Sequence, residues 1–126
     1  MLAQQILNIR NSHDIISTRM QVREAARHAG MDLGDQARIS LATSSLMEGL
    51  GLGHDSSSSS ITIEHLNEGP NKGLRVVCCF VNPRERQPVQ MAAGNIGWMV
   101  DNVAINYLEN DQVEIILTKW VMRRQS

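Results

Sequence analysis

The hydrophobic pattern of this chain changes its period several times, and this constrains the fold more than any other feature of the sequence. Residues 2–9 predict a short strand. Apolar residues at spacings of three and four then predict two helices, of which the first runs to about Ala29 and the second starts near Asp35. Ser12 is suited to cap the first helix at its N-terminus, and Gly30 is suited to end it.

The second half of the chain mostly has the period of strands. Residues 61–66 and 74–81 are expected to form one hairpin, and residues 103–108 and 112–121 are expected to form another. Between the two hairpins, apolar residues in the segment 89–103 recur at helical spacing and predict a third helix.

The predicted elements follow one another as strand, two helices, two strands, helix, two strands. This order predicts an α+β fold, a two-layer α/β sandwich in which a mixed or antiparallel sheet carries helices on one face. The 126 residues suffice for one core, so residues 1–126 are expected to form a single domain. The polar segment His54 to Ser60, with the serine run Ser56–Ser60, is expected to be a loop between the helices and the strands.

Charge and composition argue against several classes of function. The formal net charge is −1 and the pI is about 6.4, so no overall field would attract nucleic acid or an anionic membrane. The basic residues Lys119, Arg123 and Arg124 are expected to form a solvated C-terminal tail. No apolar run approaches the length of a membrane span. The adjacent Cys78 and Cys79 do not make a disulfide framework, and we therefore expect a reducing, cytoplasmic location.

Three short segments resemble one protein family. They occur in the family's order and at nearly its intervals, and they are Asp35–Ile39, Lys72–Val77 and Lys119–Val121. The segments are similar to those of the anti-sigma-factor and stressosome serine kinases, which belong to the GHKL (Bergerat-fold) ATPase superfamily. The resemblance covers nearly the whole chain and implies the fold of that family.

The family's second helix carries a Glu that assists phosphoryl transfer and, four residues later, an Asn that holds magnesium. A spacing of four puts both side chains on one helical face. The corresponding positions here are Ser45 and Gly49. Serine is a poor general base and glycine has no ligand atom, so the resemblance implies that both functions are lost. The nearby Glu48 is one position off and is interpreted as a solvated charge.

The family's central strand ends in an Asp that accepts a hydrogen bond from the adenine amino group, followed at alternate positions by two glycines. The corresponding residues here are Phe80, Asn82 and Arg84. Phenylalanine removes the acceptor, and by alternation its ring faces the helices, so it is expected to fill the adenine slot.

The family also has a glycine-rich lid, which ends at a helix N-terminus and whose backbone amides wrap the phosphates. Between Pro83 and Ile96 this chain has only Gly94, so the phosphate cradle is expected to be missing. The four histidines are widely spaced and join no cysteine pair, so no metal site is expected either. We therefore expect no cofactor; the alternative is ATP with Mg²⁺.

Loss of the catalytic, adenine-binding and phosphate-binding groups favours a non-catalytic pseudo-kinase over an enzyme. The resemblance implies a regulatory module of bacterial partner switching that binds a STAS-domain antagonist, a sigma factor, a regulatory phosphatase or a second copy of itself. The alternative is a divergent ATP-dependent serine protein kinase or anti-sigma factor.

One further surface follows from strand periodicity. Val77, Cys79 and Val81 alternate with the core-facing residues of their strand and point to the sheet face opposite the helices. An apolar row there is unfavourable in water, so we expect a protein interface on this face, unless the N-terminal strand covers it.

Overall fold

The computed structural model describes residues 4–53, 59–81 and 87–122. Within these residues a five-stranded antiparallel sheet packs against three α-helices, which confirms the α+β class and is compatible with a two-layer sandwich. The elements are β1 (Gln4–Ile9), α1 (Ser12–Ala29), α2 (Leu33–Gly49), β2 (Ser59–Glu68), β3 (Asn71–Val81), α3 (Gln87–Ile96), a 3₁₀ turn (Gly97–Met99), β4 (Asn102–Tyr107) and β5 (Gln112–Trp120).

Helix α1 is capped one residue earlier than the sequence predicted. The side chain of Asn11 accepts a hydrogen bond from the backbone N–H of Asp14 at 3.0 Å, so Asn11 is the N-cap and Ser12 is the first helical residue. The assignment of the cap to Ser12 is therefore wrong, because the extended backbone of Asn11 already aims its amide oxygen at the first turn. The predicted end is confirmed, since Gly30 adopts the left-handed conformation with φ of 98°.

Helix α2 begins at Leu33, two residues before the predicted start, because Asp32 caps it by accepting from the N–H of Asp35 at 2.8 Å. Several of its buried residues are small and polar. Their hydroxyl groups donate to carbonyl groups of the preceding turn, as Thr43 does to Ile39 at 2.8 Å. Because these groups are satisfied within the helix, α2 can pack against both α1 and α3.

The strands lie in the order β1-β2-β3-β5-β4, and each neighbouring pair is antiparallel. Both predicted hairpins are confirmed, β2 with β3 and β4 with β5. Strand β2 begins at Ser59, because Ser59 and Ser60 pair with Ile9 and Asn8 of β1. The predicted loop is therefore wrong for these two serines, and its residues 54–58 lie outside the described residues.

Strand β1 extends the sheet at its edge. Its partner is β2, with Ile6 opposite Thr62. The alternative that the N-terminal strand covers the face opposite the helices is therefore wrong for the described part of β1, which extends the sheet and adds side chains to that face.

Helix α3 is shorter than the periodic pattern suggested. It ends at Ile96, the 3₁₀ turn follows, and Val103 lies in β4. Met99 is buried beside the helix residues although it is outside the α-helix. The helical spacing continued past the end of the helix because the turn and the start of β4 also contribute to the core.

The core lies between the helices and one face of the sheet. On β3, the residues Leu74, Val76, Cys78 and Phe80 are each at most 6% exposed and belong to one cluster with apolar residues of all three helices. Full burial of an aliphatic side chain contributes about 1.5–3 kcal/mol to stability, so this cluster holds the two layers together. The opposite face of the sheet, whose side chains are mostly half-buried, is called the open face below.

The predicted basic tail is wrong for Lys119. This residue lies in β5, is 7% exposed, and its Nζ atom lies 3.4 Å from Oδ1 of Asp35 on α2. Its side chain follows the core-facing alternation of Val113, Ile115 and Leu117. Arg123 and Arg124 lie outside the described residues. Among the helices that the structure describes, none is both long and apolar enough to cross a membrane.

Candidate functional site

The described positions that correspond to nucleotide-binding residues of the resembled family lie at the end of α2 and near the end of β3. Ser45 and Gly49 lie on the last two turns of α2, where Ser45 is half-buried and Gly49 is exposed and ends the helix. Glu48 is exposed, as the interpretation of a solvated charge requires. Gly49 is the last residue of α2, so the helical face that Ser45 and Gly49 share ends there.

Helix α3 packs directly against Gly49. A Cβ atom at position 49 would lie 3.3 Å from Cβ of Ala92, closer than most side-chain contacts. Ala92 is itself 5% exposed, so it has little room to move away. The absence of a side chain at position 49 thus allows α3 to approach the end of α2.

Phe80 occupies a buried position near the end of β3. It is 6% exposed, faces the helices, and pairs with Val113 of β5. Its predicted place in the core is confirmed. An aromatic ring offers no hydrogen-bond acceptor to an adenine amino group, and here it also fills volume next to apolar side chains. Asn82 and Arg84 lie outside the described residues.

The buried face of α3 is apolar. Val89, Ala92 and Ile96 belong to the core cluster, whereas Gly94 is exposed and has nothing within 4 Å of a Cβ atom built on it. Residues 82–86, which precede this helix, lie outside the described residues. In the part of the chain that the structure describes, no group of three or more His, Cys, Asp or Glu side chains could hold a metal ion.

A buried ion pair that the sequence interpretation missed links α2 to β5. Asp35, 8% exposed, contacts Lys119 at 3.4 Å and Arg38 at 3.1 Å. Two of the three segments that resemble the kinase family, Asp35–Ile39 and Lys119–Val121, therefore touch in space. The signal for this pair was the alternation of β5, which puts Lys119 on the core face. The contact anchors the two layers and exposes no reactive group.

The two cysteines have opposite surroundings on β3. Burial raises the pKa of the Cys78 thiol, and partial burial together with the nearby Glu114 carboxylate raises the pKa of Cys79. The Cys79 Sγ atom lies 4.0 Å from Oε2 of Glu114. Because the thiolate is the nucleophilic form, neither cysteine is activated for covalent chemistry at neutral pH.

Comparison with known proteins assigns no family to this chain. No family model matches the sequence, and no curated protein is significantly similar to it.

Proposed function

We propose that this chain is a pseudo-kinase: a non-catalytic, GHKL-like domain of the anti-sigma-factor and stressosome serine-kinase type that regulates by binding a protein partner. The observation that carries the proposal is the burial of Phe80, at 6% exposure, where an active member of that family presents an adenine acceptor. A nucleotide base would have to displace this ring from the core. Displacing a large aromatic side chain from a core costs about 3 kcal/mol or more.

The magnesium position supports the same proposal independently. Gly49 carries no ligand atom, and Ala92 lies where a side chain at this position would extend. Ser45, one turn earlier, has a hydroxyl group in place of a carboxylate. A hydroxyl group is a poor proton acceptor at neutral pH, so these two positions offer neither a carboxylate base nor an amide ligand for the metal.

The partner class follows from the family resemblance: a STAS-domain antagonist, a sigma factor or a regulatory phosphatase, in the cytoplasm of a bacterium. The helix layer has apolar side chains suited to such contacts. Trp98 is 74% exposed and Met91 is 60% exposed, both in the segment that packs beside α2. Exposed tryptophan is enriched among the residues that dominate binding energy at protein interfaces.

The experiment that tests the proposal measures thermal unfolding with and without Mg-ATP, beside an active kinase of the resembled family. At about 1 mM Mg-ATP, a dissociation constant of about 10 µM would stabilise the fold by about 2.7 kcal/mol. We expect no shift in Tm for this chain and a clear shift for the active kinase. A Tm that rises with Mg-ATP would instead favour the alternative, a divergent ATP-dependent serine kinase or anti-sigma factor.

A second experiment tests the proposed partner class. Purified STAS-domain proteins, sigma factors and regulatory phosphatases are titrated against the chain by calorimetry, each with and without Mg-ATP. We expect one of these classes to bind, with an affinity that Mg-ATP does not change. Binding that requires Mg-ATP would contradict the pseudo-kinase proposal even if the partner class were correct.

A further inference from the structure

We propose that the outer edge of β4 binds an extended segment of a partner protein, in which apolar residues alternate with polar ones between two basic ends. The segment would add one more strand to the five-stranded sheet. This inference rests on the proposed function only in that it requires a protein partner, and it uses none of the nucleotide-binding positions. Three features of β4 support it: the direction of its backbone groups, its core-facing side chains and the charges at its two ends.

Strand β4 has a neighbouring strand on one side only, since the described sheet ends at β4 and its partner there is β5. The N–H group of Leu108 donates to the carbonyl group of Gln112 at 2.8 Å. In an antiparallel pair, every second residue directs its backbone groups at the partner strand. Counted back from Leu108, Ala104 faces β5, whereas Val103 and Ile105 face away from it. The N–H and C=O groups of Val103 and Ile105 therefore lie at the outer edge, with no strand of the described residues beside them.

The side chains of the same two residues lie at the margin of the core. Val103 and Ile105 are half-buried, and both pack against the core cluster on the helix side of the sheet, whereas Ala104 lies on the open face. Strand β4 packs mainly against β5. A strand added beside β4 would cover the exposed parts of Val103 and Ile105 with every second side chain of its own. We therefore expect apolar residues at alternate positions of the bound segment.

The sequence of β4 lacks the residues that commonly protect an exposed edge. Asn102–Tyr107 contains no charged residue and no proline, both of which oppose pairing with another chain. Strand β1, at the other edge, is also uncharged. Its core-facing Gln5 is polar, however, and donates a hydrogen bond to Gln21 of α1 at 3.1 Å. An apolar strand would therefore bury more apolar surface at β4 than at β1.

The two ends of β4 are acidic. Asp101 precedes the strand, Glu109 and Asp111 lie in the turn that follows it, and all three residues are exposed. Within the described residues, none of these carboxylates forms a salt bridge. Lysine or arginine residues on both sides of the apolar part of the segment would therefore match the two ends of β4.

The same charges argue against a second copy of β4 as the occupant of this edge. In an antiparallel pair of two β4 strands, the Asp101 end of one copy would lie beside the Glu109 end of the other copy. Like charges that face each other across neighbouring strands are destabilising. The occupant that fits best is therefore a basic, extended segment of a different chain.

The probe is the synthetic peptide Lys-Lys-Val-Thr-Ile-Thr-Val-Lys-Lys, titrated into the isotope-labelled full chain and followed by NMR. Amide hydrogen exchange is measured with and without the peptide. In the free chain we expect the amide of Ala104 to be protected and the amides of Val103 and Ile105 to exchange rapidly. Saturation with the peptide should slow the exchange of Val103 and Ile105 by about tenfold or more.

Two methylated peptides distinguish strand addition from a non-specific contact. N-methylation of the valines and the isoleucine removes the N–H groups that face β4, so it should weaken binding by about tenfold or more. N-methylation of the two threonines places the methyl groups on the far side and should change the affinity by less than about twofold. A peptide with glutamates in place of the lysines should bind about fivefold more weakly or worse.

Two variants of the chain test the same contacts from the other side. Val103→Pro removes an outward N–H group, which an edge strand tolerates, and should abolish binding, whereas Val103→Ala keeps the N–H group and should lose less affinity. Glu109→Lys should weaken binding of the lysine peptide and strengthen binding of the glutamate peptide. The control for this charge change is Glu48→Lys on the exposed side of α2, which should alter neither. Circular dichroism and Tm report whether each variant is folded.

Several results would overturn the proposal: no binding of the lysine peptide at millimolar concentration, equal binding of the two methylated peptides, or a Glu109→Lys variant that binds as the wild type does. Amides of Val103 and Ile105 that are protected in the dilute free chain would also overturn it, because the edge would already be covered. Protection that rises with the concentration of the chain alone would make a second copy the occupant. A chain that binds both the peptide and Mg-ATP would refute the pseudo-kinase proposal and leave the edge site standing.

Discussion

Gly49 shows how a single missing side chain shapes the candidate site. In a helix, glycine is less favourable than alanine by up to about 1 kcal/mol, so a glycine inside a helix calls for a physical reason. At this position the reason is the approach of Ala92, whose Cβ lies 3.3 Å from where a Cβ of residue 49 would be. The close approach of α3 thus depends on the absence of a side chain at position 49.

Gly49→Ala is therefore expected to give no net stabilisation, because the gain in helix propensity is offset by crowding against Ala92. The matched variant is Gly94→Ala on α3, where a new Cβ would meet nothing within 4 Å. We expect Gly94→Ala to stabilise the protein by about 0.5–1 kcal/mol. Urea unfolding of both variants measures the difference, and equal stabilisation by the two would show that α3 does not constrain position 49.

The polar contact between Lys119 and Asp35 adds to the core in holding the helices against the strands. Lys119 and Asp35 are 7% and 8% exposed, and the contact between them joins the last strand to the start of α2. A buried charge that loses its partner is destabilising by several kcal/mol. Arg38 also contacts Asp35 but is about half exposed, so it can replace only part of the lost interaction.

Lys119→Met is expected to destabilise the protein by about 2 kcal/mol or more, because it leaves the Asp35 carboxylate buried with only Arg38 nearby. The matched variant Arg38→Met removes the exposed partner and should cost less than about 1 kcal/mol. In the double variant Asp35→Asn with Lys119→Met, most of the loss should be recovered, since no uncompensated charge remains. Urea unfolding gives all three values. A Lys119→Met variant as stable as Arg38→Met would mean that the buried pair does not anchor α2 to β5.

At the level of elements, periodicity predicted the helices and strands where hydrophobic residues dominate the pattern. It failed at Ser59 and Ser60, because serine contributes no hydrophobic period and the partners of these residues lie fifty residues earlier in β1. The prediction failed at Lys119 because this residue was grouped by charge with Arg123 and Arg124, although the alternation along β5 places it on the core face. The pairing of β5 with β3 could not be predicted, since it is set by contacts distant in sequence.

In the molecule as a whole, local patterns in the sequence predicted the burial of single residues but not which elements pack against them. Alternation along β3 predicted the burial of Phe80, whereas Ser45 and Gly49 were singled out by the family resemblance alone. The packing of α3 against Gly49 is a tertiary contact between helices forty residues apart, which no local pattern encodes. The direction of the backbone groups at the edge of β4 likewise required the strand register.

The proposed loss of nucleotide binding involves several positions, so restoring the family's residues at only some of them is not expected to create activity. The double variant Ser45→Glu with Gly49→Asn returns a base and a ligand to one face of α2. Phosphoryl transfer depends on positioning and electrostatic stabilisation, and the buried Phe80 would still occupy the proposed adenine position. We expect no transfer of labelled phosphate from ATP to any of the candidate partner proteins.

Adding Phe80→Asp is expected to destabilise the fold rather than to complete a kinase. The new carboxylate would lie among apolar side chains, which disfavours its charged form and raises its pKa above the usual value of about 3.9. A group whose pKa is raised in the folded state loses stability as pH rises above its unfolded pKa, so the variant should be weaker at pH 8 than at pH 5. In the control variant Phe80→Asn, the asparagine is neutral and similar in size to aspartate, so this variant should lack the pH dependence. Melting curves at the two pH values distinguish the two variants. If Mg-ATP stabilised the Phe80→Asp variant at pH 8, the proposed adenine slot would be able to open, and this result would favour the active-kinase alternative.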